Sequence, residues 1–210
     1  LGFVSGAVCL ALSMAIYQAY LPFAILLSIY GILMLAMEEG DLREKFLNGL
    51  HYFYMGLLGT TGYYVILQIM LKIQHTEIGT YQEGNSLGML GSGLLGTIKN
   101  IYMDFFAFTF NGNVLMNNLF SITAFVLLGL VTLITLIRLV GYKDWWKKSA
   151  WFYVICVLLV MALPLATNIM MLILPGVTYH LLMRFHWILY PILMIGFVGK
   201  YNKGLFGDNR

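Results

Sequence analysis

Residues 119–140 read LFSITAFVLLGLVTLITLIRLV, an apolar run in which Arg138 is the single charged side chain. As a helix this run is about 33 Å long, close to the roughly 30 Å hydrocarbon core of a bilayer. The whole chain is similarly apolar, because 60% of its 210 residues are hydrophobic and 10% are charged. Ordinary soluble domains carry about 25% charged residues, and a soluble fold could not bury this much apolar surface. The sequence therefore predicts an integral membrane protein.

Further apolar runs complete a predicted bundle of about six transmembrane helices. The run from Gly2 to Met37 is too long for one span, and it turns back near residues 17–22, where polar side chains meet a proline suited to the first turn of a helix. The charged residues 38–45 cannot lie in lipid. The predicted spans are about Gly2–Ile16, Tyr20–Met37, Leu50–Ile73, Leu119–Val140, Trp151–Leu174 and Tyr179–Val198, the last two containing Pro164 and Pro191. The predicted fold class is all-α, a polytopic transmembrane helical bundle.

We expect residues 1–210 to form a single transmembrane domain, with residues 74–118 as an outward loop inserted between spans 3 and 4. The second half of this loop is apolar but broken by glycines, a mixture that favours interfacial or re-entrant helices. Because Leu1 is not a methionine and already lies in an apolar run, we also expect the chain to be the C-terminal part of a longer protein.

The basic residues predict the orientation of the bundle. If the spans alternate, nine of the twelve Lys and Arg residues fall on one side and three on the other, and the richer side is cytoplasmic by the positive-inside rule. Both termini are then cytoplasmic. The nine are Arg43, Lys45, Arg138, Lys143, Lys147, Lys148, Lys200, Lys203 and Arg210, and the three are Lys72, Lys99 and Arg184.

The outward loop is the one predicted connection on the outer side that is large enough to build a site. Its first half is dense in hydrogen-bonding side chains, among them Glu77, Tyr81, Gln82 and Glu83. The two carboxylates could act as acid, base or metal ligand, and their spacing does not specify which. The alternative is a solvated surface loop without chemistry, since long loops are commonly either functional or disordered.

Arg184 is the most informative single residue, because it lies inside the sixth predicted span, where an arginine is costly unless it faces protein, water or an anion. His180 and Trp187 share its helix face. The functional interpretation is a cationic contact for a phosphate or another anionic group. The alternative is an arginine that extends to the lipid headgroups from near the helix end.

Several other side chains have both a functional and a structural interpretation. Tyr17 and Gln18 could contact sugar hydroxyls and a sugar ring, or could be an ordinary interfacial pair. Asn168 is expected to bond a neighbouring helix, and Cys9 and Cys156 are expected to be packing residues. In span 3, small residues predict a close approach of a neighbouring helix; they are Gly56, Gly59 and Gly62.

The segment from Ala15 to Leu21, with Tyr17-Gln18 between two apolar helices, resembles the "YQ" turn of the Gtr-type (GtrII-like) bacterial and phage membrane glucosyltransferases. The features that follow are also similar: a charged inner loop, a span, an outward loop with Tyr81-Gln82-Glu83-Gly84, and a late helix containing Arg184. The resemblance covers most of the chain.

This resemblance implies a GT-C type glycosyltransferase of the bacterial plasma membrane. Such enzymes take a sugar from a polyprenyl-phosphate carrier and add it to a cell-surface glycan, such as O-antigen or a cell-wall glycan, on the outer face. It implies that Tyr17, Gln18, Glu83 and Arg184 line the cavity, with Arg184 near the carrier phosphate. The catalytic acidic residue of these families lies in an early outward loop, which we expect upstream of Leu1. No resident cofactor is expected, and a requirement for a divalent metal ion is left open.

Two other classes of function remain open at this stage. A transporter or lipid flippase would place Arg184 and Asn168 along a translocation path, but the sequence shows no convincing internal repeat, and its polar residues collect at one membrane face. A non-enzymatic scaffold would leave Arg184 and Glu83 replaceable. The sequence contains no phosphate-binding glycine loop, no metal-binding motif and no nucleic-acid footprint.

Overall fold

The computed structural model describes residues 2–18, 20–38, 40–76, 93–112, 114–142, 150–173 and 186–201. Within these ranges the chain forms helices and turns and no strand, which confirms the predicted all-α class. The α-helices are α1 (Gly2–Ile16), α2 (Tyr20–Met37), α3 (Leu42–Gln74), α4 (Leu94–Ala107), α5 (Leu119–Tyr142), α6 (Ala150–Thr167), α7 (Met170–Ile173) and α8 (Leu189–Tyr201). A π-helical turn at Phe108–Gly112 and a 3-10 turn at Val114–Met116 follow α4.

Four helices in the described ranges are long and apolar enough to cross a membrane, which supports the prediction of a membrane protein. They are Tyr20–Met37, Arg43–Gln74, Leu119–Gly141 and Ala150–Thr167. The remaining two predicted spans contain shorter apolar helices, Gly2–Ile16 and Leu189–Tyr201. At about 1.5 Å per residue each of these is about 20 Å long, which is less than the hydrocarbon thickness of a bilayer.

The third helix begins eight residues earlier than the sequence predicted, at Leu42 and not at Leu50. Glu38, Gly40 and Asp41 are non-helical, as expected of the charged break, but Arg43, Glu44 and Lys45 belong to α3. Arginine, glutamate and lysine are strong helix formers, so a helix can continue past the point where its side chains become too polar for lipid. The helix ends at His75, whose left-handed φ of 49° lets its N–H reach the carbonyls of Leu71 and Lys72.

The fifth span is interrupted earlier than predicted. The long helix α6 stops at Thr167, and α7 begins at Met170 after a break at Asn168 and Ile169. The break is a tight one, because the N–H groups of Met171 and Leu172 bond the carbonyls three residues earlier. Asparagine is common where helices end, since its side chain competes for the backbone. The predicted fifth span is therefore helical from Ala150 to Ile173 except at Asn168 and Ile169, where it is interrupted.

Three helix pairings hold the bundle together: α1 packs along α3, α2 along α6, and α5 along α8. Helix α2 also contacts α3 and so joins the first pair to the rest. Its Leu26, 1% exposed, is the centre of a core with Ile29, Ala166 and Leu189. Most apolar side chains of α3 and α5 stay exposed on the surface, as expected where lipid is the solvent.

The glycines of α3 explain the close packing of α1. A Cβ at Gly59 would come within 2.8 Å of Leu10, and one at Gly62 would touch the Ala11 Cβ at 3.5 Å. The predicted close approach is thus confirmed at these two positions. At Gly56 the prediction was wrong, because a Cβ there would meet nothing within 4 Å. That glycine lies on a side of α3 that α1 does not cover.

The two ends of the bundle carry different polar groups. At the end that we call the basic end, Lys200 Nζ donates to Glu38 Oε1 at 2.7 Å and so joins the ends of α8 and α2. At the opposite end, which we call the turn end, Thr167 and Tyr190 join α6 to α8 through their hydroxyls, 2.6 Å apart. Helices α2 and α8 therefore end at the basic end and α6 ends at the turn end, as expected if successive spans alternate in direction.

The apolar half of the predicted outward loop forms α4, which packs against α6 and α7. Its buried face consists of Ile101 and Phe105, while Leu95, Met103 and Phe106 are exposed. The Tyr102 hydroxyl donates to the Met161 carbonyl of α6 at 2.5 Å. The loop therefore contributes a helix to the turn end.

Candidate functional site

The turn between α1 and α2 holds a small group of polar side chains that we call the turn cluster: Tyr17, Gln18 and Tyr63. Gln18 Nε2 donates to the Tyr63 hydroxyl of α3 at 2.5 Å. This bond is made possible by the close packing of α1 on α3 at Gly59 and Gly62. Tyr17 packs edge-to-face on Tyr20, with ring centroids 5.9 Å apart. The cluster thus has one side chain fixed by α3 and one ring held by the first turn of α2.

An open cavity of about 500 Å³ borders the turn cluster. Residues 14–18 of α1 and the turn form one wall, and Tyr63, Ile66, Leu67 and Met70 of α3 form the other. Ligand pockets of this size, about 300–1,000 Å³, accommodate small organic molecules. The Gln18 amide uses one N–H on Tyr63, and an amide offers a second N–H and a carbonyl oxygen as well. The cavity therefore combines apolar walls with donors and acceptors suited to hydroxyl groups.

A second group, which we call the buried polar cluster, lies where α6 ends and α8 begins: Thr167, Asn168, His186 and Tyr190. All but the half-buried Tyr190 are buried. The His186 Nδ1–H donates to the Thr167 carbonyl at 3.1 Å. The Thr167 hydroxyl donates to the Leu163 carbonyl at 3.0 Å, and since it has one hydrogen, Tyr190 is the donor in their 2.6 Å contact.

Asn168 also belongs to this buried cluster, and its Nδ2 donates to Met171 Sδ at 2.7 Å. This bond lies within the same span and not across to a neighbouring helix, where the sequence had placed it. The side chain is 2% exposed. Buried polar groups of this kind are costly unless bonded, so the cluster fixes the positions of α6 and α8 at the turn end.

The first turns of α2 connect the two clusters. Leu21 packs in one apolar cluster with Tyr63 of α3 and Ile169 at the break after α6. Phe23 meets the His186 ring edge-on, with centroids 6.2 Å apart. The turn cluster and the buried polar cluster are therefore neighbours within one end of the bundle.

Trp187, three residues after Arg184 in the sequence, is a core residue of the turn end. It is 3% exposed and packs with Phe105, Phe108 and Phe125. Its Nε1–H donates to Thr109 Oγ1 at 3.2 Å. The chain that follows Arg184 in sequence is thus tied to the end of α4.

A family model described as "Glucosyl transferase GtrII" matches residues 1–198. The chain belongs to this GtrII family. The resemblance seen in the YQ turn and the features after it is thereby confirmed, and membership indicates a glucosyltransferase. Neither a curated protein nor a solved structure matches the chain.

Two of the predicted site residues of this GtrII chain, Tyr17 and Gln18, are described, and the structure brings them together with Tyr63. The others lie outside the described residues and remain predictions; they are Glu77, Tyr81, Gln82, Glu83, His180 and Arg184. Among the described residues no group of three or more His, Cys, Asp or Glu side chains is placed to hold a metal ion. Cys9 and Cys156 are free thiols.

Sequence reasoning missed Tyr63, Thr167, His186 and Tyr190. Tyr63 lies 45 residues from Gln18, so their contact depends on helix pairing. One local signal existed, since Tyr63 directly follows Gly62, a position predicted to face a neighbouring helix. His186 carried a weaker signal, as a histidine two residues beyond Arg184 in an apolar segment.

Proposed function

We propose that this GtrII-family protein transfers a glucosyl group from a polyprenyl-phosphate carrier to a cell-surface glycan on the outer face of a bacterial plasma membrane. The bond between the sugar C1 and the carrier phosphate oxygen breaks, and a new bond forms between C1 and a hydroxyl oxygen of the glycan. The hydroxyl proton passes to a general base, for which the family resemblance implies an acidic side chain, and the carrier leaves as a phosphate monoester. In this orientation the turn end faces outward and the basic end faces the cytoplasm, as the positive-inside rule predicts.

The observation that carries this proposal is the turn cluster beside its open cavity. Gln18 and the two tyrosine hydroxyls offer the donors and acceptors that a sugar needs, and Tyr17 and Tyr63 add ring surface. The Gln18–Tyr63 bond holds the amide before any ligand arrives, so part of the ordering cost of binding is already met. We assign the glucosyl group to this cavity.

Arg184 is assigned to the carrier phosphate. The phosphodiester of the donor carries one negative charge and the departing monoester up to two, so a guanidinium beside it stabilises the charge that develops. The polar half of the outward loop and His180 are assigned to the glycan side of the same cavity, with Glu77, Tyr81, Gln82 and Glu83 as the contacting residues of the loop. Tyr81, Gln82 and Glu83 belong to the segment that resembles the family, whereas Glu77 and His180 are included for their polarity and their predicted outward position.

The distribution of polar side chains favours transfer at one face over translocation through the bundle. Thr167, Asn168 and His186, all buried, lie together at the turn end. Thr135 of α5 is also buried, but its hydroxyl donates to the Val131 carbonyl of the same helix. A transporter would place binding groups near the midplane, whereas three of the four buried polar side chains among the described residues lie at the turn end.

Substitution Gln18→Ala tests the assignment of the turn cluster. We expect the rate of glucosyl transfer to fall about tenfold, because hydrogen bonds worth about 1.5 kcal/mol are lost. The measurement is transfer of radiolabelled glucose from a polyprenyl-phosphate glucose donor by membranes containing the full protein. Asn48→Ala is the matched control, because Asn48 is an exposed amide near the start of α3, at the opposite end of the bundle, and we expect it to leave the rate unchanged. Equal activity of both variants and the wild type would remove Gln18 from the site.

A double substitution tests whether Tyr63 acts through Gln18. We expect Tyr63→Phe to lower the transfer rate about threefold, and the Gln18→Ala/Tyr63→Phe double variant to be no worse than Gln18→Ala alone, because the two side chains share one bond. Tyr64→Phe is the control, since Tyr64 is the exposed neighbour. Fully multiplicative effects of the two substitutions would mean that Gln18 and Tyr63 are not coupled.

A further inference from the structure

A second large cavity opens at the basic end, on the other side of α2 from α1. Helix α2 packs against both α3 and α6, but α3 and α6 are not packed along each other. A wedge is left between them, closed at the back by Ile32 and Ala36 of α2. Its volume is about 670 Å³. Phe53 of α3 and Ile155 of α6 are among its side walls.

The walls of this wedge are apolar, and its mouth is charged. Asp41, Arg43 and Lys45 are the charged lining residues, two cations against one carboxylate. Lys45 Nζ donates to the carbonyls of Ala36 and Glu38, so it caps the end of α2 and adds its charge to the mouth. Arg43 is exposed beside it. The three charged lining residues thus sum to a charge of +1, and the guanidinium among them belongs to the first turn of α3.

The wedge also has the depth of one membrane leaflet. Its lining on α3 extends from Arg43 to Phe53, ten residues or about 15 Å along a helix. Half of the hydrocarbon core is also about 15 Å. The charged residues lie at one end of this length and the apolar ones fill the rest, which is the arrangement of headgroup and acyl chain in a lipid.

We propose that this wedge binds an anionic phospholipid of the leaflet at the basic end, with the phosphate on Arg43 and one acyl chain between α3 and α6. A guanidinium matches a phosphate group bidentately, and basic residues near the surface attract anionic lipids. A protein helix would fit the apolar walls but not the mouth, because it would bury Arg43 without a phosphate. This site lies at the opposite end of the bundle from the turn cluster, so it is distinct from the glucosyl site, and its role is to fill the gap between α3 and α6.

The test compares lipids and variants by thermal unfolding of the full protein in a neutral detergent. The probes are palmitoyl-oleoyl phosphatidylglycerol and phosphatidylcholine with the same chains. We expect phosphatidylglycerol to raise the Tm at the lower concentration. Arg43→Gln should weaken its apparent affinity about fivefold, or about 1 kcal/mol. Arg138→Gln, a basic residue on the lipid-exposed side of α5 near the same end, should change it less than twofold.

A second variant tests the apolar part of the site. Ile155→Trp fills the wedge, so we expect it to reduce stabilisation by both lipids. Arg43 is exposed, so we expect its substitution to leave the fold intact, which keeps the test valid if Ile155→Trp does not fold. The proposal is overturned if Arg43→Gln and Arg138→Gln weaken phosphatidylglycerol equally, or if phosphatidylcholine stabilises the wild type at the same concentration. Since neither lipid is a glucosyl donor, a failure here leaves the proposed transfer reaction unaffected.

Discussion

Arg184→Ala is expected to lower the rate of glucosyl transfer about 100-fold. Removing one preorganised group that stabilises transition-state charge typically costs 10²–10³ in kcat. Because the phosphate gains charge as the sugar leaves, the loss should appear in kcat more than in KM. The measurement is the steady-state rate with a polyprenyl-phosphate glucose donor at varied concentration. Arg184→Lys should recover part of the rate, since it keeps the charge but not the bidentate geometry.

Arg138→Ala is the control for general effects of removing an arginine from an apolar helix. It lies in α5 near the basic end, away from the cavity, and we expect it to retain the wild-type rate. In the competing interpretation, Arg184 only extends to the lipid headgroups. That interpretation predicts that Arg184→Ala inserts less well into the membrane but has an unchanged rate per inserted molecule. A rate per inserted molecule within threefold of the wild type would therefore reject the assigned role.

Gly59→Leu is expected to lower the free energy of unfolding by about 1–3 kcal/mol, because it forces a side chain into a fully packed contact. The Cβ alone would lie 2.8 Å from a Leu10 side-chain carbon, so α1 must move away from α3. The displacement also separates Gln18 from Tyr63, so glucosyl transfer should fall with stability. Thermal unfolding in detergent and the transfer assay measure the two effects.

Gly56→Leu separates the packing effect from the change in helix propensity. It lies on the same helix, three residues earlier, and a Cβ there would meet nothing within 4 Å. Replacing glycine by leucine improves helix propensity equally at both positions, so the difference between the variants reports the α1–α3 contact. If both variants unfold at the same temperature, the close approach at Gly59 does not stabilise the bundle.

The helices could be predicted largely from the sequence, because the need to satisfy backbone groups in lipid leaves few alternatives. The turn at Tyr17–Gln18 and both ends of α2 were predicted as they occur. The helix predictions that were wrong concern the ends of two helices, whose positions are not determined by the apolar length of the run. The start of α3 contains Arg43 and Lys45, which favour a helix outside the lipid. Helix α6 ends at Thr167, directly before Asn168, whose side-chain amide bonds the Met171 sulfur.

The candidate site could be predicted less well, because it depends on which helices pair. The residues of the YQ turn were found from their polarity between apolar runs, but Gln18's partner on α3 required the α1–α3 packing. The buried polar cluster joins residues such as Thr167 and Tyr190, which are unremarkable in their own segments and 23 residues apart. Burial and hydrogen bonding, not residue type, distinguish them.

The exposed apolar faces of α3 and α5 have a consequence for handling the protein outside a membrane. Phe53 and Ile69 of α3 and Leu133 and Ile137 of α5 are each more than half exposed. Large apolar patches on a protein surface associate with one another in water. Purification therefore needs enough detergent to cover both faces, and dilution below that amount should cause aggregation.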